Sequence, residues 1–313
     1  MNDNKFQSVD PGIALKSSKP TLWTKLSYGF GAAAFGIKNN GFDYFLLLFY
    51  SQVVGLDARL VGIAITAALV IDAISDPIVG YWSDNLRSRW GRRHPFMYAA
   101  AIPVSLSYFF LWSPPLDWSQ MELFWYLLIM AVFIRTGITL YETPSTALVP
   151  ELTDDYVQRS SLLSFRYYFG WTGGNTMSVL MFLFLFPAFV TASITDGRFN
   201  ADSYSLYGKI ASVLIFISII VSSLGTHSQI PNLKAPPPKR DLTLGAIIKE
   251  IADTLADRSF FSLFFAALLG AIGTGLSAAL TFYFWTYFWG FSSVQTGLIT
   301  MGTFLAAFIG LFL

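Results

Sequence analysis

Apolar residues along this chain gather into eight runs near the length needed to cross a hydrocarbon core as a helix. They fall at about 24–53, 60–82, 96–112, 123–149, 161–190, 208–224, 260–289 and 294–313. The runs are too long for barrel strands, and a backbone leaving water must satisfy its own polar groups, so the pattern predicts membrane-spanning helices. Several exceed the minimum length, which permits tilt. The sixth is short, and the eighth is still apolar at Leu313.

The polar segments between the runs give an orientation, because Lys and Arg collect on the cytoplasmic side. Lys5, Lys16, Lys19 and Lys25 precede or open the first run. Arg87, Arg89, Arg92 and Arg93 follow the second, and Lys234, Lys239, Arg240, Lys249 and Arg258 follow the sixth. The alternate loops hold only Arg59 and Arg198, so the amino terminus is expected to be cytoplasmic. Trp112, Trp118 and Trp125 flank the outer 113–122 loop as interfacial anchors.

Segment 225–259 reads as a linker. Pro231, Pro236, Pro237 and Pro238 interrupt helix. Leu244, Ile247, Ile248, Ile251 and Leu255 then recur at helical spacing among charges, predicting a short amphipathic helix on the cytoplasmic surface. The expected organisation is a tail (1–23), a six-helix domain (24–224), this linker (225–259) and the start of a second domain (260–313). Only two spans follow the linker, so the chain is expected to be about two-thirds of a two-domain carrier. Met1 to Pro20 is polar and lacks the apolar core of a cleavable signal.

Composition agrees with the pattern. Charged residues make up 12% of the 313 positions and apolar residues 54%, with a mean hydropathy of +0.54; a soluble domain carries about 25% charged residues. With no cysteine there is no disulfide frame, thiolate metal site or cysteine nucleophile. The net charge of +1 points to no nucleic-acid partner.

Seven charged residues fall inside the predicted spans away from their first residues: Lys38, Asp43, Asp72, Asp76, Arg135, Glu142 and Arg166. Each costs roughly 2.5–3.5 kcal/mol at a helix centre on insertion scales, so the set requires a closed network or an aqueous cavity. Asp72 and Asp76 lie one turn apart on one face, with Ser75 beside them. Their oxygens suit a small hard cation, and a desolvated carboxylate suits a proton. Pro77 deprives the Ala73 carbonyl of its usual partner, a backbone feature common at transporter ion sites. On the fourth span Arg135, Thr139 and Glu142 share a face, where Glu142 is placed to accept from solute hydroxyls or to balance Arg166.

The loop from Asp84 through Arg87, Arg89, Arg92 and Arg93 reads as a cytoplasmic latch, although the same arginines also serve topology. Gly170 and Gly174 on the fifth span, and Gly270, Gly273 and Gly275 on the seventh, predict close helix packing. His94 and His227 read as far apart and loop-borne, and neither points to a metal.

Asp72-x-x-Ser75-Asp76-Pro77 and Asn85-Leu86-Arg87-Ser88-Arg89-Trp90-Gly91-Arg92-Arg93 resemble the glycoside–pentoside–hexuronide:cation symporters, the melibiose-permease branch of the major facilitator superfamily. The likeness extends through Glu142-Thr143-Pro144 and Leu148-Val149-Pro150-Glu151-Leu152 to Ser164-Phe165-Arg166. The resemblance implies an all-α, major-facilitator-type helical bundle coupling Na⁺, H⁺ or Li⁺ to a sugar-like solute. It matches the cation site to Asp72, Asp76 and Thr139, with Ser75 where the family often has asparagine. It matches the sugar acid to Glu142 and the fifth-span arginine to Arg166. The melibiose-permease span-one acid falls at Gly36, near Lys38, Asn39 and Asn40, and its stacking tryptophan falls at Thr146. Solute contacts are therefore expected at Lys38, Asn39, Glu142, Thr146 and Arg166, without galactoside specificity.

The expected function is cation-coupled secondary transport of a sugar-like solute by a monomer in the cell membrane, with Na⁺ or H⁺ as coupling ion and no cofactor. The alternative keeps the fold and makes the cargo an amphipathic lysolipid-like molecule or another non-sugar organic solute. A membrane-embedded enzyme is disfavoured, because no nucleophile or metal set accompanies the acids.

Overall fold

A computed structural model describes residues 19–233, Gly245 and 253–310. The tail lysines Lys5 and Lys16 and the core of the expected linker helix (Leu244, Ile247, Ile248, Ile251) lie outside the described residues.

The first run forms one long path rather than one uniform helix. Thr21 caps α1 (Leu22–Phe30) by accepting from the Thr24 N–H, and Gly31 joins it to α2 (Ala32–Asn40). Two π-helical segments, Gly41–Leu46 and Phe49–Val53, complete the path. Then come α3 (Ala58–Asn85), α4 (His94–Leu111), α5 (Gln120–Leu152) and α6 (Tyr156–Leu180). A π segment, Met181–Leu185, continues α6 into α7 (Phe186–Ala188). After α8 (Ala201–His227) come α9 (Arg258–Tyr283), with its π extension Phe284–Phe288, and α10 (Ser293–Gly310).

Five helices among the described residues are long and apolar enough to cross a membrane: Ala58–Asn85, Gln120–Leu152, Tyr156–Ala188, Ala201–His227 and Arg258–Phe288. The chain is an all-α polytopic membrane protein. Two expectations shift. Asn200 accepts from the Asp202 N–H and so starts α8 seven residues before the predicted sixth span, while Ser203, Tyr204 and Tyr207 on its first turns are buried. Trp118 and Trp125 are exposed as anchors should be, but Trp112 is fully buried. Trp112 packs with Phe49, Tyr204 and Tyr207 in an aromatic core that Phe45, Phe182 and Phe186 extend. Packing area decides its place over interfacial preference.

Backbone contact brings α2 against α6. A Cβ on Gly36 would stand 1.8 Å from the Gly170 carbonyl oxygen, and one on Gly174 would stand 2.6 Å from the Gly36 carbonyl oxygen. Only glycine permits this approach. The α9 glycines behave differently: nothing among the described residues lies within 4 Å of a Cβ at Gly270, Gly273 or Gly275.

Instead α9 meets the earlier helices at its far end. Phe282 is buried against Phe45 and Phe182. Tyr283 Oη lies 2.6 Å from Ser51 Oγ, and Tyr287 Oη donates to Gln52 Oε1 at 3.1 Å. Buried Arg198 grips Asp196 and reaches across with Nη1 to Thr286 Oγ1 (3.0 Å) and the Phe291 carbonyl (2.9 Å). On α10, Phe304 packs edge-on to Trp171 of α6, with ring centroids 4.8 Å apart.

Candidate functional site

Two polar clusters share α5. In the first, α3 presents Asp72 and Asp76 to α5, whose buried Thr139 hydroxyl lies 3.1 Å from Asp72 Oδ1 and 2.7 Å from Asp76 Oδ1. A hydroxyl has one proton, so it donates to one carboxylate at a time while its lone pairs stay available. Arg135, one turn earlier, donates through Nη1 to Asp72 Oδ2 at 3.1 Å, and its guanidinium lies 5.1 Å from the centroid of the Phe42 ring. Arg135 Nε is buried without a hydrogen-bond partner.

Ser75 is not turned onto the acids. Its hydroxyl donates to the Asp72 backbone carbonyl at 3.0 Å, the local bond that serine in a helix commonly makes. Nor does Pro77 break the backbone; α3 runs on through it. Asp76 is exposed, whereas the Asp72 side chain is 20% and that of Arg135 11% exposed.

The second cluster centres on buried Arg166 of α6. Its Nη2 pairs with Glu142 Oε1 and donates to Thr146 Oγ1 at 2.9 Å; its Nη1 donates to Ser145 Oγ at 3.1 Å and Tyr28 Oη at 3.3 Å. Four oxygens from α1 and α5 thus hold one guanidinium, and Glu142 Oε2 is left buried without a partner. Glu142 and Arg166 line a cavity of about 290 Å³, together with Asn39, Asn40, Tyr167 and Trp171. A carboxylate, a guanidinium, two amides and two aromatic faces can bind a polyhydroxylated or amphipathic molecule.

Of the expected solute residues, Asn39, Glu142 and Arg166 line this cavity; Lys38 and Thr146 do not. Thr146 acts through Arg166. Lys38 is buried, with Nζ 5.0 Å from the Phe35 centroid and 5.8 Å from the Phe42 centroid, within the field of Arg135, Asp72, Asp43 and Glu142. It stands between the two clusters. Tyr28, Ser145 and Trp171 were not anticipated; Ser145 follows Glu142 by three residues and so shares its face.

The arginine loop divides. Glu151 at the end of α5, with its side chain 5% exposed, takes Arg92 Nη2 at 2.7 Å and Arg93 Nε at 3.1 Å on one oxygen. Arg93 also reaches Asp84 (2.5 Å) and Ser83 Oγ (2.8 Å). Arg87 and Arg89 are exposed, and Arg89 lies over the Trp90 ring. Asp84 therefore pairs with the loop of its own hairpin, and the lattice braces α3, α4 and α5.

The histidines correct the sequence reading. They are neighbours, with ring centroids 5.7 Å apart. His94 is buried on Thr226 Oγ1 (3.0 Å), and His227 Nδ1 meets Tyr98 Oη (3.0 Å). Among the described residues no third ligand makes them a metal site.

An acid pair and a carboxylate–guanidinium pair thus share one helix of a polytopic membrane bundle. The family described as MFS/sugar transport protein matches residues 27–313, and the chain belongs to it. Among its relatives, the uncharacterized symporter sll1374 of Synechocystis is 34% identical over 67% of this chain and 38% of its own length. The inner membrane symporter YicJ of Escherichia coli is 33% identical over 53% of this chain and 36% of its own. The sodium-dependent lysophosphatidylcholine symporter 1-A of Danio rerio is 30% identical over 47% of this chain and 27% of its own. The chain thus covers between 27% and 38% of the length of these relatives.

Proposed function

We propose that this chain carries the ion and solute sites of a secondary transporter that couples Na⁺ or H⁺ entry to uptake of a sugar-like solute. One observation carries the reading: α5 sets Thr139 between the α3 acids and, three residues on, sets Glu142 against Arg166 at the cavity. Asp72, Asp76 and Thr139 receive the ion. Glu142, Arg166 and Asn39 meet the solute, and Lys38 and Thr146 tune them from outside the cavity. Ser75 supports the site through the α3 backbone.

The membrane potential drives the cycle, since an inward elementary charge gains about 2.3 kcal/mol per 100 mV. The loop lysines and arginines support a cytoplasmic amino terminus. Contacts of α9 and the loop after it with the earlier helices gather at Phe282–Phe291. Alternating access then rocks the two domains about the sites. The Asp84–Arg92–Arg93–Glu151 lattice holds the cytoplasmic ends of α3, α4 and α5 together as one unit in that movement.

The test is uptake by proteoliposomes holding the protein from its complete reading frame, under imposed Na⁺ or proton gradients, with a panel of glycosides and pentosides. Gradient-driven glycoside uptake that Asp72→Asn and Asp76→Asn abolish is expected. Uptake that both variants leave gradient-dependent refutes the ion site. Competition by lysophosphatidylcholine but not by any sugar would select the lipid cargo named for the Danio relative.

A further inference from the structure

We infer that Arg135 is a built-in counter-ion of the acid pair, holding Asp72 when the coupling cation is absent and yielding it when the cation arrives. The inference rests on reading Asp72 and Asp76 as the ion site.

Charge and geometry carry it. Two carboxylates and one guanidinium leave the cluster one net negative charge, which a single monovalent cation neutralises. Arg135 engages only the outer oxygen of Asp72, Oδ2. Asp72 Oδ1 and Asp76 Oδ1 instead both face the Thr139 hydroxyl. The ion and Arg135 therefore compete for the charge of Asp72 without competing for the same oxygens.

Arg135 also has a second place to rest. Its guanidinium lies over Phe42, and a cation on an aromatic face keeps part of its stabilisation when a carboxylate partner is lost. Lys38 Nζ lies 5.8 Å from the centroid of the same ring, a like charge within the field of Arg135. Arg135 Nε is buried without a protein partner, so its one bonded carboxylate oxygen is Asp72 Oδ2.

The consequence is a carrier able to reset empty. With Arg135 on Asp72, the cation-free site crosses the closed intermediate with one uncompensated carboxylate rather than two. Removing the guanidinium should tighten cation binding and hinder the empty return, whereas loss of a merely structural ion pair should loosen binding.

Charge displacement by the reconstituted protein on a solid-supported membrane, after Na⁺ jumps and in parallel after pH jumps, separates these outcomes. Arg135→Gln is expected to lower the half-saturating concentration of the active ion about tenfold, or one pH unit toward alkaline for protons, equivalent to about 1.4 kcal/mol. Arg135→Lys keeps the charge but loses the planar fork. It should move the midpoint two- to threefold in the same direction, and it stands as the test if Arg135→Gln fails to fold. An unchanged or weaker midpoint in the folded variants overturns the inference. Asp76→Asn should abolish the displacement; currents that persist in it overturn the ion site itself, a failure distinct from that of Arg135.

Discussion

Thr139 is the position at which the ion-site geometry is most directly exposed to refutation. Its hydroxyl lies within hydrogen-bond reach of both Asp72 and Asp76, and it is 4% exposed, so bulk water does not readily replace it. Thr139→Val keeps the branched shape and removes the donor and its lone pairs; Thr139→Ser keeps the hydroxyl and removes a methyl. A hydrogen bond to a charged group contributes about 1.5–3 kcal/mol. The ion gains the hydroxyl oxygen as a ligand while the carboxylates lose its proton, so the low end applies. The half-saturating ion concentration in Thr139→Val should rise roughly tenfold, at about 1.4 kcal/mol per decade. Ion-jump currents on the reconstituted protein measure it, with thermal unfolding in detergent as the folding control. A Val variant with a wild-type midpoint would falsify the bridging role. A Ser variant as impaired as Val would assign the effect to packing of the methyl group.

Other outcomes follow from the surrounding structure. Gly36→Ala should destabilise by about 1–3 kcal/mol or more, because the added methyl meets the Gly170 backbone rather than a movable side chain; Gly62→Ala, whose methyl would meet none of the described residues within 4 Å, should not lower the unfolding temperature. Glu151→Gln takes the carboxylate from Arg92 and leaves Arg93 with Asp84 alone, and should cost about 3 kcal/mol, against less than about 0.5 kcal/mol for exposed Arg87→Gln. Arg198→Ala should open the outer contacts; since the chain has no cysteine, a single cysteine at Ser51 should react faster with external maleimide in that background. Burial alone would raise the Asp196 carboxyl, but bonds from the Arg198 side chain and N–H hold it below the ordinary 3.8. Its contribution is therefore complete above that value and lost as pH falls through the lower folded one. The same cysteine should show no pH-dependent opening of this latch between pH 5 and 8; a change of labelling with a midpoint in that window, after allowing for thiol ionisation, would contradict the assignment.

What the sequence made legible was the part that helical periodicity controls. A spacing of four residues puts Asp72 and Asp76 on one face, and the same rule groups Arg135, Thr139 and Glu142, so the two sites and their shared helix were readable before any coordinates. Side-chain direction was not. Ser75 sits beside the acids in sequence but spends its hydroxyl on its own backbone, and Lys38 points between clusters rather than into the cavity. Partners distant in sequence were also hidden: His94 meets His227, Glu151 gathers Arg92 and Arg93, and Tyr28 reaches Arg166. Trp112 misled for a related reason, because an interfacial tryptophan and a core tryptophan look alike until Phe49 and Tyr204 are seen around it.

The shared helix also bears on how ion and solute would be coupled. From Thr139 to Glu142 α5 rises about 4.5 Å, at 1.5 Å per residue, with no break between them. Any tilt or shift of α5 relative to α3 as the acid pair changes partners moves Glu142 against Arg166. Arg166 in turn is fixed to α1 through Tyr28, and α2 is pressed backbone to backbone on α6 at Gly36 and Gly174. On the proposed reading, a single rigid element therefore carries the exchange of Arg135 for a cation at one end and the engagement of solute hydroxyls by Glu142 at the other. This makes a separable prediction about coupling. Arg135→Gln, whose effect begins at the ion site, should also change the apparent affinity for solute, and by the same factor by which solute then changes ion affinity, since linkage between two binding sites is reciprocal. If the two factors differ in equilibrium binding, the sites do not communicate through one shared equilibrium, and α5 is a scaffold for both rather than the link between them.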